Sequence, residues 1–318
     1  MAVTDIKIQK QGDVGMGLVS RLRKLSGEVR KNYISYLLLA PFALIFFIFT
    51  IVPVLAAIGL SFTYFNILEL PKWIGTQNYI RLLLSDDIFL IAVKNTFLFA
   101  AITGPISYFA ALLFAWFINE LPPKIRAFMV LVFYAPSISG NAYLIWSVMF
   151  SGDTYGFING FLLRTGLLRE PIQWLYDPKY MLGVIMIIVL WMSLGTGFLA
   201  FVAGLQSIDP SLYEAGLVDG IKNRWQELWF ITLPSMKPML MFGAVMSITS
   251  SFAVGDVTAT LAGMPSTDYA AHTVINHLVD YGTIRFEMGY ACAIATVLFL
   301  AMVGTNKVIQ HLLTKVGR

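Results

Sequence analysis

The sequence predicts an all-α integral membrane protein with six transmembrane helices and both termini on the cytoplasmic side. Three observations carry that prediction: an apolar composition, six long stretches without a charge, and a one-sided distribution of basic residues. Of 318 residues, 58% are hydrophobic and only 13% are charged, against roughly 45–50% and 25% in soluble domains. No Asp, Glu, Lys or Arg interrupts residues 32–68, 95–119, 127–152, 180–208, 238–255 or 288–306. About 20 helical residues cross a hydrocarbon core of about 30 Å, and a charge at its centre costs about 2.5–3.5 kcal/mol.

Sidedness follows from the 22 Lys and Arg. Fifteen fall in the N-terminal tail, the even-numbered loops and the C-terminal end, and seven in the odd-numbered loops. Basic residues collect on the cytoplasmic face, which places both termini there. The same topology accounts for the net charge of +4, so no nucleic-acid partner is needed to explain it. Cys292 is the sequence's one cysteine and lies inside the sixth window, which rules out a disulfide within the chain.

Four segments are expected: a basic cytoplasmic tail over 1–32, a first span with its outer loop over 33–90, a core with five spans over 91–313, and a short tail over 314–318. The first window starts too late and is too long for a removable signal peptide. Leu18, Leu22 and Leu25 stand at helical spacing among basic residues, which fits either a surface helix on an anionic leaflet or a tail that only enforces orientation. In the first outer loop, residues 78–83 read as a short amphipathic helix. Gly104-Pro105 in the second window and Pro136 with Gly140 in the third are expected to break or kink their helices. Such breaks are tolerated only where protein or a wet cavity covers them.

The loop over 207–234 is the most informative stretch. It reads as two short helices separated by a turn. Asp209 caps the first, with Pro210 at a position where its missing N–H does no harm, and Gly220 stops it. Asn223 with Gln226 resembles a capping box opening the second, and Pro234 is expected to limit it. Glu214, Ala215 and Gly216 are read as an exposed patch of small residues beside a carboxylate, suited to close approach by another protein.

Glu-Ala-Gly at 214–216, Gly220 and Ile-Thr-Leu-Pro at 231–234 resemble the "EAA" loop of permease subunits in binding-protein-dependent ABC importers. Gly216 stands where that motif usually has alanine. Over about 42–313 the chain resembles the sugar-permease branch, and within it the maltose-type upstream subunit. Asn78-Tyr79, Lys94-Asn95-Thr96, Ala135-Pro136, the run 156–159, the run 203–208 and Gly289-Tyr290-Ala291 carry that likeness. Residues 261–265 replace its glycine-rich Thr-Gly-Gly-Gly-Pro turn with Leu-Ala-Gly-Met-Pro, a departure that bears on which sugar is carried.

The resemblance implies a type I importer permease fold in a bacterial or archaeal cytoplasmic membrane. The chain would form half of a pore for a mono- or oligosaccharide, with Glu214, Ala215, Gly216, Asp219 and Gly220 coupling it to a separate ATPase. Implied partners are a second permease, a pair of ATP-binding cassette subunits that hold ATP and Mg, and an extracytoplasmic sugar-binding protein. The sequence has no G-x-x-x-x-G-K-[ST] loop for phosphates, so no cofactor is expected on this chain and no enzyme activity of its own.

Asn141, Tyr143, Ser247, Ser250 and Asp256 are the candidate lining of a solute path. For Ser247 and Ser250, as for Thr249 and Ser251 beside them, hydrogen bonding and small-residue packing between helices is the favoured reading. Asp256 is either a functional acid or an interfacial one. Eighteen residues from Pro238 span about 27 Å, which places it near the outer surface. His272 and His277 are five apart, not the four that let two helical imidazoles share a metal, so no metal site is expected. Three rival functions are an importer of a non-sugar solute with the same coupling loop, a membrane-embedded enzyme, for which no catalytic constellation is visible, and an ion-coupled secondary transporter. The last usually relies on buried acids or broken helices within its spans.

Overall fold

The computed structural model describes residues 31–315, with side chains through Leu313. The amphipathic stretch at 17–25 and nearly all of both expected tails lie outside those residues. The chain divides into two units, Met1–Ala57 and Ile58–Arg318. Across that division, α1 (Tyr33–Phe46) passes through a π-turn (Phe47–Ile51) into α2 (Val52–Leu60), making one apolar span of 28 residues. The turn widens directly ahead of Pro53, whose ring crowds the carbonyl four residues back in a regular helix.

The second unit opens with a two-stranded hairpin, β1 (Thr63–Tyr64) on β2 (Lys72–Trp73), and α3 (Gln77–Leu84). Asn78 is buried in α3 and donates to the carbonyls of Ser61 (2.8 Å) and Thr63 (3.0 Å), fastening helix to hairpin. Next comes α4 (Asp87–Asn119), 33 residues long. It starts eight residues before the charge-free window because Asp86 caps it, accepting from the N–H of Phe89 at 2.9 Å. The expected break at Gly104-Pro105 does not occur. The hydroxyls of Ser107 and Ser247 donate to the Gly104 carbonyl at 2.9 and 2.8 Å beside the proline, while the carbonyl that Pro105 leaves without its N–H is that of Ala101.

Breaks occur in three other places. The third window holds α5 (Pro123–Ile138) and α6 (Leu144–Met149), separated by an irregular segment at 139–143. After α7 (Phe157–Arg164) the fourth window divides into α8 (Pro178–Trp191) and α9 (Thr196–Gln206). The fifth divides into α13 (Lys237–Phe252) and α14 (Asp256–Ala262) after the loop helices α10 (Pro210–Val218), α11 (Arg224–Glu227) and α12 (Leu233–Ser235). A last connection containing α15 (Val274–Val279) leads to α16 (Met288–Lys315). Among the described residues five helical stretches are long and apolar enough to cross a membrane; the third window is not one of them, because its longer piece has 16 residues.

The long α4 packs against α9 and α13, and α13 against α16. Their buried faces form the core, with Phe198, Phe201, Leu205 and Met236 in one cluster and Phe89, Phe252, Ile294 and Leu298 in another. Lipid is as apolar as these side chains, so their packing and hydrogen bonding, more than exclusion from water, hold the helices together.

Candidate functional site

The three helix breaks meet at one cavity. Gly140, Asn141 and Tyr143 come from the first break, Met192 and Ser193 from the second, and Ala253 to Asp256 from the third, while Thr103 and Ser107 project from α4. The cavity holds about 450 Å³. A second, of about 290 Å³, shares Ser107, Met192, Ser193 and Ser250 with it and adds Ser247 and Thr196. Freed backbone groups are costly inside a membrane unless protein or a wet cavity covers them, which accounts for three breaks gathering here.

Of the candidate path residues, Asn141, Tyr143, Ser250 and Asp256 line the larger cavity and Ser247 the smaller. Asp256, which ends the charge-free window, opens α14, and helix continues from it to Ala262. Ser247 has both roles weighed from sequence: its hydroxyl reaches across the helices to the Gly104 carbonyl at 2.8 Å, with Ser107 Oγ 2.9 Å away, while it faces the smaller cavity.

The hydroxyl protons around the larger cavity are largely committed. Thr103 donates to Phe99 O (2.8 Å), Ser107 to Gly104 O (2.9 Å), Ser193 to Leu190 O (2.6 Å), Ser250 to Ser247 O (3.0 Å) and Ser251 to Ile248 O (2.9 Å). Tyr143 donates to the Asn141 side-chain oxygen at 3.2 Å. What these groups offer a solute is oxygen lone pairs. Among the described residues no hydrogen bond or ion pair engages the exposed Asp256 carboxylate.

Two connections leave the span over 237–262. Beyond Ala262, His277 sits 1% exposed with its Nε2 3.1 Å from Asp86 Oδ2 and its Nδ1 3.3 Å from His272 Nε2. The Tyr290 hydroxyl donates to the same Asp86 oxygen at 2.7 Å. Neutral imidazoles satisfy this chain, with His277 donating to Asp86 and accepting from His272. Burial, reinforced by His277, pushes His272 down to about 4, and burial likewise lowers His277 despite the carboxylate beside it. Burial works to raise Asp86, but donation from Tyr290, Phe89 and His277 more than offsets it and holds the carboxyl low.

Asn95 donates to the carbonyls of Tyr269 and His272, both at 3.0 Å, and Thr96 accepts from Val274 N at 2.9 Å. Sequence reading missed this network, because it joins residues some 190 positions apart. The one available signal was Asp86 just ahead of an apolar run.

At the other end of the span, α10 begins as expected. Asp209 accepts from Ser211 N at 2.9 Å, and that bond lowers its carboxyl. Gly220 ends the helix at φ +93°, in the left-handed region that favours glycine. Asn223 accepts from Gln226 N at 2.9 Å, but Gln226 answers the N–H of Lys222 at 2.8 Å, not that of Asn223, so the capping box is incomplete. Helical backbone continues through Pro234 to Ser235 after a π-turn at Leu228–Thr232, and the bend falls at Met236.

Glu214, Ala215, Asp219 and Gly220 are exposed, with Leu217 and Val218 beside them. Gly216 is the exception to the sequence expectation. It is buried, and a Cβ there would lie 2.6 Å from Ile231 Cδ1. Its role is close packing of α10 on the following segment, which leans in turn on the end of α4 through Arg224–Glu120 (3.1 Å) and the Trp116–Trp225 ring pair (5.2 Å).

Residues 87–312 match the family described as binding-protein-dependent transport system inner membrane component. The chain is 32% identical to the probable ABC transporter permease protein YesP of Bacillus subtilis, over 88% of this chain and 90% of that one. It is 33% identical to the lactose transport system permease protein LacF of Rhizobium radiobacter, over 70% of this chain and 74% of that one. Its fold resembles a chain in the crystal structure of a bacterial ABC transporter that imports the acidic polysaccharide alginate, with a TM-score of 0.74, 24% identity, and coverage of 93% of this chain and 100% of that one. The broken helices of the cavity thus do not point to an ion-coupled carrier. The chain belongs to the binding-protein-dependent inner membrane component family and is a multi-pass membrane permease subunit of an ABC transporter.

Proposed function

We propose that the chain forms one half of the translocation path of a carbohydrate importer, with six spans and both termini in the cytoplasm. The observation that carries this reading is the convergence of three helix breaks on one polar cavity, where Asn141, Tyr143, Ser250 and Asp256 face a common space. Ser247 extends that lining into the adjoining cavity. Oxygen acceptors on a scaffold of small residues suit a solute rich in hydroxyl groups. Lactose, which the similar permease system carries by name, is one such solute.

In this reading α10 is the coupling element. Glu214, Ala215, Asp219 and Gly220 present its outer surface to an ATP-binding subunit, and Gly216 seats it on Ile231. Closure of the ATPase pair around ATP and Mg moves α10, and the segment over 224–235 passes that motion to α4 and α13. The cavity then opens alternately to either side, receiving its sugar from an extracytoplasmic binding protein. A second permease supplies the other half of the path, and the chain itself hydrolyses nothing.

Affinity purification of the tagged chain from mild detergent tests this. Recovery of an ATPase and a second permease is expected, with hydrolysis stimulated by a sugar-loaded binding protein. A chain recovered without partners and inert toward ATP would sink the reading.

A further inference from the structure

We propose that Asp256 makes this chain's half of the path exclude anions, so that the solute it passes is an uncharged, hydroxyl-rich molecule. The inference rests on the path reading above and adds the charge class of the solute. Family and fold leave that open, since lactose is neutral and alginate acidic.

The two cavities are lined by hydroxyl, amide, aromatic and aliphatic side chains and by one charged group, the carboxylate of Asp256. Among the described residues no Lys, Arg or His faces either of them. A carboxylate, phosphate or sulfonate on a solute is bound by cations or convergent donors; the larger cavity has no cationic side chain among the described residues, and its uncommitted side-chain donor is the single amide of Asn141. The side-chain hydroxyls of Thr103, Ser107, Ser193, Ser250 and Ser251 give their protons to backbone carbonyls. The N–H groups opening α14 would favour an anion, but Asp256 is the first residue of that helix and puts its own negative charge there.

A neutral sugar meets the opposite situation. Its hydroxyls donate to the lone pairs that remain, and two adjacent hydroxyls can donate to the two oxygens of one carboxylate. Among the described residues nothing competes for Asp256, and its charge acts at close range on whatever enters the cavity that it lines.

The field can be measured without knowing the sugar. Ser250 is exposed to both cavities, and Cys292 is the chain's one cysteine. In a Cys292→Ser background, Ser250→Cys is reacted with the cationic trimethylammonioethyl and the anionic sulfonatoethyl methanethiosulfonates, in the full transporter reconstituted into vesicles. The ratio of cationic to anionic rates should fall on the order of fivefold when Asp256→Asn is added, and Asp256→Glu should keep it high. An unchanged ratio at a reactive cysteine overturns the proposal and leaves the path reading standing. A cysteine unreactive to both reagents, with and without ATP, overturns the path reading itself.

A second arm reads the solute. The reconstituted transporter with its binding protein is given a mixture of neutral and uronic-acid oligosaccharides of matched length, and the vesicle contents are identified by mass. Accumulation of neutral species only is expected. Accumulation of uronates overturns the charge assignment, and accumulation of nothing counts against the carbohydrate reading beneath it.

Discussion

The two connections at either end of the span over 237–262 are built on opposite principles. The segment over 263–287 turns its polar groups inward: His272, Thr273, Asn276 and His277 are all at most 4% exposed, bonded to one another, to Asp86 and to the start of α4. The segment over 207–236 turns its distinctive groups outward, with Glu214 and Ala215 exposed beside Leu217 at 63% and Val218 at 88% exposure. A fully satisfied buried network fixes one arrangement of the backbone. An exposed apolar strip with a carboxylate is an unfinished surface that a partner completes. One end of the span is thus tied to its own chain, and the other is left available to another subunit.

The contrast predicts where stability and function part company. Asp86→Ala should be the most damaging change, because it strips the partner from His277 and Tyr290 at once; a loss of about 3 kcal/mol would show as a markedly lower melting temperature in detergent. A melting temperature unchanged by Asp86→Ala would remove the basis for calling that end tied.

Acid should attack the same end. The folded-state value of about 4 for His272 lies below its ordinary 6.5, so as pH falls the unfolded chain takes up its proton first. Stability held above pH 6.5 is therefore lost progressively toward pH 4. Asp86, also held low, adds its loss only below the ordinary carboxylate range. Burial lowers His277 as well, so it loses stability over the same acid side of 6.5; melting curves across that interval should slope downward in the wild type and less steeply in His272→Gln.

At the other end, Gly216→Val should cost about 1–3 kcal/mol by forcing Ile231 aside. Transport should fall in parallel with the fraction of folded transporter. Glu214→Lys should be the mildest for folding, within about 0.5 kcal/mol, yet it should abolish sugar-stimulated ATP hydrolysis. Should Glu214→Lys transport normally, α10 is not the docking element.

Much of this was legible in the chain. Charge-free runs mark the spans because a charge inside a bilayer is penalised whatever its neighbours. Asp209, Pro210 and Gly220 mark the ends of α10 because caps and left-handed turns are local matters. Inferences failed where they needed knowledge of what lay across the structure. Pro105 does not interrupt α4, and the Gly104 carbonyl beside it takes a hydroxyl from Ser247, well over a hundred residues away. Gly216 reads as exposed until Ile231 is folded onto it.

The sequence by itself determined the membrane character, the helical class, the capped loop and its likeness to importer permeases, since each depends on composition or on neighbours within a turn or two. Only the tertiary structure decided that three helices break at a shared cavity, that Asp256 faces it with no partner among the described residues, and that His277 closes a bond to Asp86. Those facts depend on which distant backbones are brought together, and a hydrogen bond or a cavity exists only once they are.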